Sequence, residues 1–347
     1  MSNFTSQKNY SLVTVVIPKH NRTKVVKLID TIGARNIIRL TARGTLVQEG
    51  AWYSKIFPAP SPELETLQVL VPDCEVDSFF DKVVEAGKIH VTGNGLIYSI
   101  PCNDVDYSDG YSVWEAKEGE NNINASDTPG KNFSGIFCII ERGEAEQMAK
   151  GAIHSGAHSP VVTFAEGRGL RDKIPLLRLT KTAEKELVQV VVDESDLDLV
   201  FSEMAKEGKI TEPGKGFLYT IPVRKALINL PGISEETKYS ASMQQLITAV
   251  DEMKGNREWR KRDTEEINTK GQRKKLVYLK NLVSLTCVTP RDHSDTLVEA
   301  AIDAGAPAAS IGYGSLKDSI NEEKAENKSN REWGFIYLAL APNMVDK

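Results

Sequence analysis

One pattern occurs three times in this chain, and it restricts the fold more than any single residue does. An extended apolar run meets a helix-like run that closes on Gly-Ala, and a second extended run follows. The first copy reads Leu12 to Pro18, Arg22 to Ala34 and Asn36 to Leu40. The second, the clearest, reads Phe133 to Ile140, Glu144 to Ala157 and Pro160 to Phe164. The third reads Leu282 to Pro290, Ser294 to Ala306 and Ala308 to Gly312. A repeat of this kind predicts one supersecondary unit used several times. It also moves the question of function toward the surfaces on which copies meet.

Two copies continue in the same way. Leu64 to Pro72 predicts a third strand, and Val76, Phe79, Phe80, Val83 and Val84 mark one face of a second helix. Gly93-Asn94-Gly95 then turns into a fourth strand, Leu96 to Pro101. In the second copy the matching pieces are Lys185 to Val192, the face Leu197, Val200, Phe201 and Met204, the turn Gly214-Lys215-Gly216, and Phe217 to Val223. The order is βαββαβ, a split β-α-β arrangement of ferredoxin-like type. The fold class expected is therefore α+β, with antiparallel sheets in tandem ferredoxin-like units. The third unit is expected to be incomplete: Trp333 to Leu340 supplies a third strand, and nothing after it supplies a fourth. The division that follows is unit 1 over 1–102, an acidic linker over 103–132, unit 2 over 133–229, a charged helical linker over 230–280, and a partial unit 3 over 281–347.

Composition excludes several classes of function. A net charge of -5 gives no basic excess for nucleic acid, although Lys254 to Lys275 has a local basic bias. No apolar run approaches the roughly 20 residues of a membrane span. The polar start, Met1 to Tyr10, lacks the apolar segment of a secretory leader. The four cysteines include no C-x-x-C pair, and Cys138 and Cys287 fall inside predicted strands. A cytoplasmic location is expected.

The paired tails, Gly87-Lys88-Ile89 with Gly93-Asn94-Gly95 and Gly208-Lys209-Ile210 with Gly214-Lys215-Gly216, resemble the C-terminal signature of the PII signalling family. The resemblance covers about two and a half copies. It implies PII-like units that assemble in threes, with ATP or ADP held between neighbours and a long loop after the second strand touching target proteins. Those loops are roughly 42–63, 167–184 and 315–332. A Gly-x-Gly at the loop root lets backbone N–H groups face a phosphate without a Cβ in the way. Gly167-Arg168-Gly169 and Gly312-Tyr313-Gly314 stand there, with Lys209, Gly214, Lys215 and Gly216 as further ligand candidates. A simple strand-end turn is the competing reading. In the first loop, Trp52, Tyr53, Ile56 and Phe57 form an aromatic and apolar cluster suited to protein contact or to packing on its own unit.

The chain departs from that family where phosphate would be held. Leu96 and Phe217 follow the glycine turns where the family has a basic residue. Ile228 and Leu230 replace its arginines after the fourth strand, with Arg224 and Lys225 out of register. An apolar side chain offers none of the charge-assisted hydrogen bonds a phosphate needs. No catalytic set takes its place. His154 and His158 have metal-pair spacing but lack completing ligands. Asp193, Glu194, Asp196 and Asp198 open a helix, where carboxylates complement the dipole. No Gly-x-Ser-x-Gly and no P-loop is present.

The expectation is a non-enzymatic protein that works through self-association and protein contacts, as a scaffold or filament-like oligomer. The alternative is a cytoplasmic signal transducer that binds an adenine nucleotide or small anion and moves its loops. Three units in one chain permit a pseudo-trimer about a common axis. The incomplete third unit favours instead a homo-oligomer built with other chains, through an unpaired strand edge.

Overall fold

A computed structural model describes residues 4–46, 61–108, 111, 113–115, 133–158, 160–169, 184–212, 214–230, 252–255, 281–317 and 332–345. It is a mixed α+β structure dominated by antiparallel sheet. After a short β1 (Phe4–Gln7), the first group runs β2 (Tyr10–Pro18), α1 (Arg22–Thr31), β3 (Ile37–Gly44), β4 (Glu63–Pro72), α2 (Val76–Gly87) and β5 (Gly95–Cys102). β4 pairs antiparallel with β2 and β3, and β2 pairs with β5, giving the order β3-β4-β2-β5. The second group runs β7 (Phe133–Glu141), α3 (Ala145–His154), β8 (Val161–Gly169), β9 (Glu184–Asp193), α4 (Leu197–Glu207) and β10 (Gly216–Val223). Its order, β8-β9-β7-β10, is the same. The third comprises β12 (Val283–Pro290), α5 (Arg291–Asp303), β13 (Ala308–Lys317) and β14 (Glu332–Leu340), with β14 between the other two. Among the described residues nothing pairs with the other side of β12.

Local chemistry sets these elements. β2 is rich in Val, Leu and Ile, and Pro18 ends it where a 3-10 turn leads into α1. α1 stops at Gly33, whose φ of 82° is open to glycine and costly for a side chain. α2 and α4 each end beside a lysine in the left-handed region, Lys88 at φ 50° and Lys209 at φ 51°, so the repeat extends to backbone conformation.

Each complete sheet is buried on both faces. Val13, Val15, Ile17, Leu67 and Val69 meet Val25, Ile29, Phe79 and Val83 of α1 and α2. On the opposite face Val16, Leu64, Leu96 and Tyr98 join Phe137, Val161, Leu187 and Val191 of the second group. Two buried faces explain why β4 and β9 read as near-continuous apolar runs and show little alternation.

The three groups meet through their second strands. β3 pairs with β8, β8 with β13, and β13 with β3, all antiparallel. Three strands thus close a triangle within one chain.

Two strands lie where the sequence predicts none. Within the acidic linker expected over 103–132, β6 (Val105–Ser108) pairs with β1, and Trp114 packs on Phe79 at a ring distance of 5.8 Å. Val105, Tyr107, Val113 and Trp114 supply apolar anchors that the acidic composition hides. The segment after β10 was also given no strand, yet β11 (Lys225–Asn229) lies antiparallel on β5. Its Ala-Leu-Ile run is short, and its partner lies far away in sequence. The charged helical linker expected over 230–280 lies, apart from Leu230 and residues 252–255, outside the described residues.

Candidate functional site

The glycines proposed as phosphate cradles take part in strand contacts. Gly167, Arg168 and Gly169 stand opposite Ser310, Ala309 and Ala308 in the β8–β13 ladder. Gly312 and Gly314 stand opposite Phe335 and Trp333 in β14. A Cβ at Gly314 would overlap the Arg39 carbonyl oxygen, so that glycine allows β13 to approach β3. Gly216 has a similar reason: its Cβ would overlap the Ile139 carbonyl oxygen, and a Cβ at its counterpart Gly95 would overlap that of Val16. The second glycine of each turn lets the fourth strand lie against the first.

Lys215 of the same motif faces carboxylates. Lys215 Nζ is 3.2 Å from Glu144 and 4.0 Å from Glu141, and Glu144 raises its pKa above the usual lysine value. Lys185, whose side chain would meet a Cβ on Gly167, is also 4.0 Å from Glu141. An incoming phosphate would therefore meet two carboxylates beside these cations. Lys209 is exposed, and Gly214 is a turn glycine at φ 82°. Trp52, Tyr53, Ile56 and Phe57 lie outside the described residues, as does most of each long loop.

Between the first and second groups the chain packs apolar side chains. Ile228 stands opposite Leu96 in the β11–β5 register, and Leu230 joins them, 4 % exposed. These are three of the four residues that break the signature. Phe217, the fourth, stacks on Tyr219 at 5.4 Å. The out-of-register cations also have partners. Arg224 lies 2.8 Å from Asp73, and Lys225 lies 2.7 Å from Asp77 and 4.7 Å from the Phe80 ring. They clasp the second group to the first.

Two buried carboxylates went unread in the sequence. Glu186, 2 % exposed, accepts N–H groups from Gly143 at 2.9 Å and Ala145 at 3.3 Å and lies 3.0 Å from Arg43 of the first group. Glu65, its counterpart in β4, lies 2.8 Å from Arg39 and 3.4 Å from Arg22. The signal was there: Glu63-Leu-Glu-Thr-Leu-Gln-Val and Glu184-Lys-Glu-Leu-Val-Gln-Val match at four of seven positions. Both hold the start of a first helix, which is a structural task.

The centre of the molecule is polar in places. Tyr98 donates to Gln189 Oε1 at 3.1 Å across the first and second groups. Burial pushes the Tyr219 hydroxyl up to about 12, opposed by its hydrogen bond with Ser284. A cavity of about 130 Å³ lies among Leu40, Thr163, Leu187, Gly312 and Tyr337 where β3, β8 and β13 meet. Drug-sized ligands occupy about 300–1,000 Å³, so a nucleotide does not fit there. His154 is exposed at the end of α3, whereas His158 is half-buried beyond the helix and hydrogen-bonded to the Leu230 backbone, so the two do not share a helix face. No helix among the described residues is long and apolar enough to cross a membrane.

No family model matches the chain, and no curated protein matches it. Among solved structures it is similar to PII of Arabidopsis thaliana bound to citrate, at 14% identity over 28% of this chain and 80% of that one, with a TM-score of 0.22. An unknown protein from Galdieria sulphuraria is 8% identical over 62% of this chain and 99% of that one, with a TM-score of 0.21. The regulatory subunit of aspartate kinase from Thermus thermophilus is 10% identical over 59% of this chain and 95% of that one, with a TM-score of 0.19.

Proposed function

We propose that this chain is a non-enzymatic contact protein: divergent PII-like, ferredoxin-like units joined in tandem, closed on one another as a pseudo-trimer, and working through association with other chains. The observation that carries this reading is a pair of sheet edges. β10 and β12 contain no charged residue, and among the described residues no strand covers their outer sides. Natural edge strands are usually blunted by lysine, bulges or a covering element, because a bare edge templates pairing with another chain. β12 lacks that protection over most of its length: Ser284, Thr286 and Val288 are exposed, and its one proline closes the strand.

The nucleotide-sensor reading has less support. Leu96, Ile228 and Leu230 fill the first inter-group cleft, and Glu141 and Glu144 answer the lysine of the second turn. Self-association through β12 is tested by light scattering on the full chain at rising concentration. The wild type is expected to exceed the 38.3 kDa of one chain. Thr286→Lys, which puts a charge on that edge, is expected to shift the onset of association to at least about tenfold higher concentration. A constant single-chain mass for the wild type would overturn the reading.

A further inference from the structure

We propose that the cavity where β3, β8 and β13 meet is a binding site for one small neutral molecule, an aromatic ring that carries a hydroxyl. The inference goes beyond the contact-protein reading and does not depend on it.

Equivalent positions of the three groups converge on this cavity. A Gly-Ala pair follows each first helix, at Gly33, Gly156 and Gly305. Seven residues after these glycines stand Leu40, Thr163 and Gly312, and all three line the cavity. The residues that follow them, Thr41, Phe164 and Tyr313, line it too. The same two positions of each copy therefore border one space.

Unequal side chains open that space. Leucine, threonine and glycine share one position of the repeat, and leucine at all three would take up much of the 130 Å³. The backbone does not demand the glycine. Its φ lies outside the left-handed region. A Cβ on Gly312 would lie 3.7 Å from Tyr337 Cε2 and 3.8 Å from the Phe164 carbonyl oxygen, which is ordinary contact. Gly314 differs, since its Cβ would overlap the Arg39 carbonyl oxygen. Gly314 lets two strands approach, whereas the missing side chain of Gly312 keeps the cavity open.

The lining sets the chemistry of the ligand. Every side chain in it is uncharged, so an ion would give up hydration with little in return. Leu40 and Leu187 supply a buried apolar wall, and Tyr337 brings a ring edge to the place of the absent Gly312 side chain. An apolar protein cavity of about 150 Å³ binds benzene, so a single ring is the right size here. Thr163, 4 % exposed, adds a hydroxyl that can pair with an oxygen on the ring. Thr41 and Phe164 are exposed, which marks the side of entry. A bound molecule would touch a strand of each group and hold their joint closed.

Calorimetric titration of the full chain with phenol tests this. One phenol per chain is expected, with a Kd below about 1 mM. Benzoate, the same ring with a charge, is expected to bind at least about tenfold more weakly. Gly312→Val refills the cavity, and is expected to weaken phenol binding at least about tenfold with a Tm no lower than that of the wild type. Gly312→Ala, whose Cβ fits without overlap, is expected to weaken it by a smaller factor, and decides the matter if valine lowers the Tm. Thr163→Val keeps the shape without the hydroxyl; phenol is expected to bind about three- to tenfold more weakly, with benzene unaffected. No saturable binding of phenol overturns the proposal, whether water or another part of this chain fills the space. Undiminished binding in both Gly312 variants also overturns it, since the ring would then sit elsewhere. Equal affinity for benzoate, or a loss in Thr163→Val that benzene shares, overturns the chemistry assigned to the ligand.

Discussion

Glu186 shows how one side chain joins two parts of this molecule. It accepts two N–H groups at the start of α3 and faces Arg43 from the first group, while only 2 % exposed. Removing one member of a buried ion pair strands the other, which typically costs about 3–5 kcal/mol. Glu186→Ala is therefore expected to lose about 3 kcal/mol in urea unfolding. Glu184→Ala, whose carboxylate meets Arg142 at an exposed site, is expected to change stability by less than about 1 kcal/mol. His158 sets a pH dependence. Desolvation lowers its pKa below 6.5 in the fold, and its hydrogen bond to the Leu230 backbone opposes this only in part. The unfolded chain then binds the proton more readily, so stability is full above about pH 6.5 and falls as pH drops through the range between the two values. His158→Gln is expected to flatten that part of a Tm-against-pH curve. A wild-type Tm that rises on acidification through the same window would contradict the assignment.

At the scale of elements, the joint between β13 and β3 depends on Gly314. A Cβ there would overlap the Arg39 carbonyl oxygen and crowd Leu40 and Phe335. Gly314→Ala is expected to destabilise the fold by about 1–3 kcal/mol, as overpacking does. Differential scanning calorimetry measures it; an unchanged Tm would show that the three-strand closure is loose. The strands and helices of the complete groups were legible because each carries its own signal: Val-rich runs, a 3.6-residue apolar face, and the Gly-Ala pair that follows each first helix. β11 was not, because its stability comes from Asp73, Asp77 and the edge of β5, none of which is near it in sequence. The buried role of Glu65 and Glu186 escaped for a related reason. A glutamate in a strand reads as solvent-facing unless the distant arginine is known. The glycine motifs misled differently: the same Gly-x-Gly that frees backbone N–H groups for a ligand also permits two strands to approach closely, and only packing separates the two uses.

At the scale of the whole molecule, the second strands of the three groups close on one another within one chain. Among the described residues, β10 and β12 are uncharged strands with no strand on their outer sides. Leu96, Ile228 and Leu230 fill the apolar contact between the first and second groups. Leu96→Lys would bury a charge in that cluster and is expected to lower stability without creating nucleotide affinity, because Ile228 and Leu230 would still fill the space. The central claim is that these clefts are closed to phosphate and that the chain works through its edges. Calorimetric titration of the full chain with ATP, ADP and AMP tests this most directly. The account predicts no saturable heat up to about 1 mM for any of the three; saturable binding with a Kd below about 100 µM would contradict it.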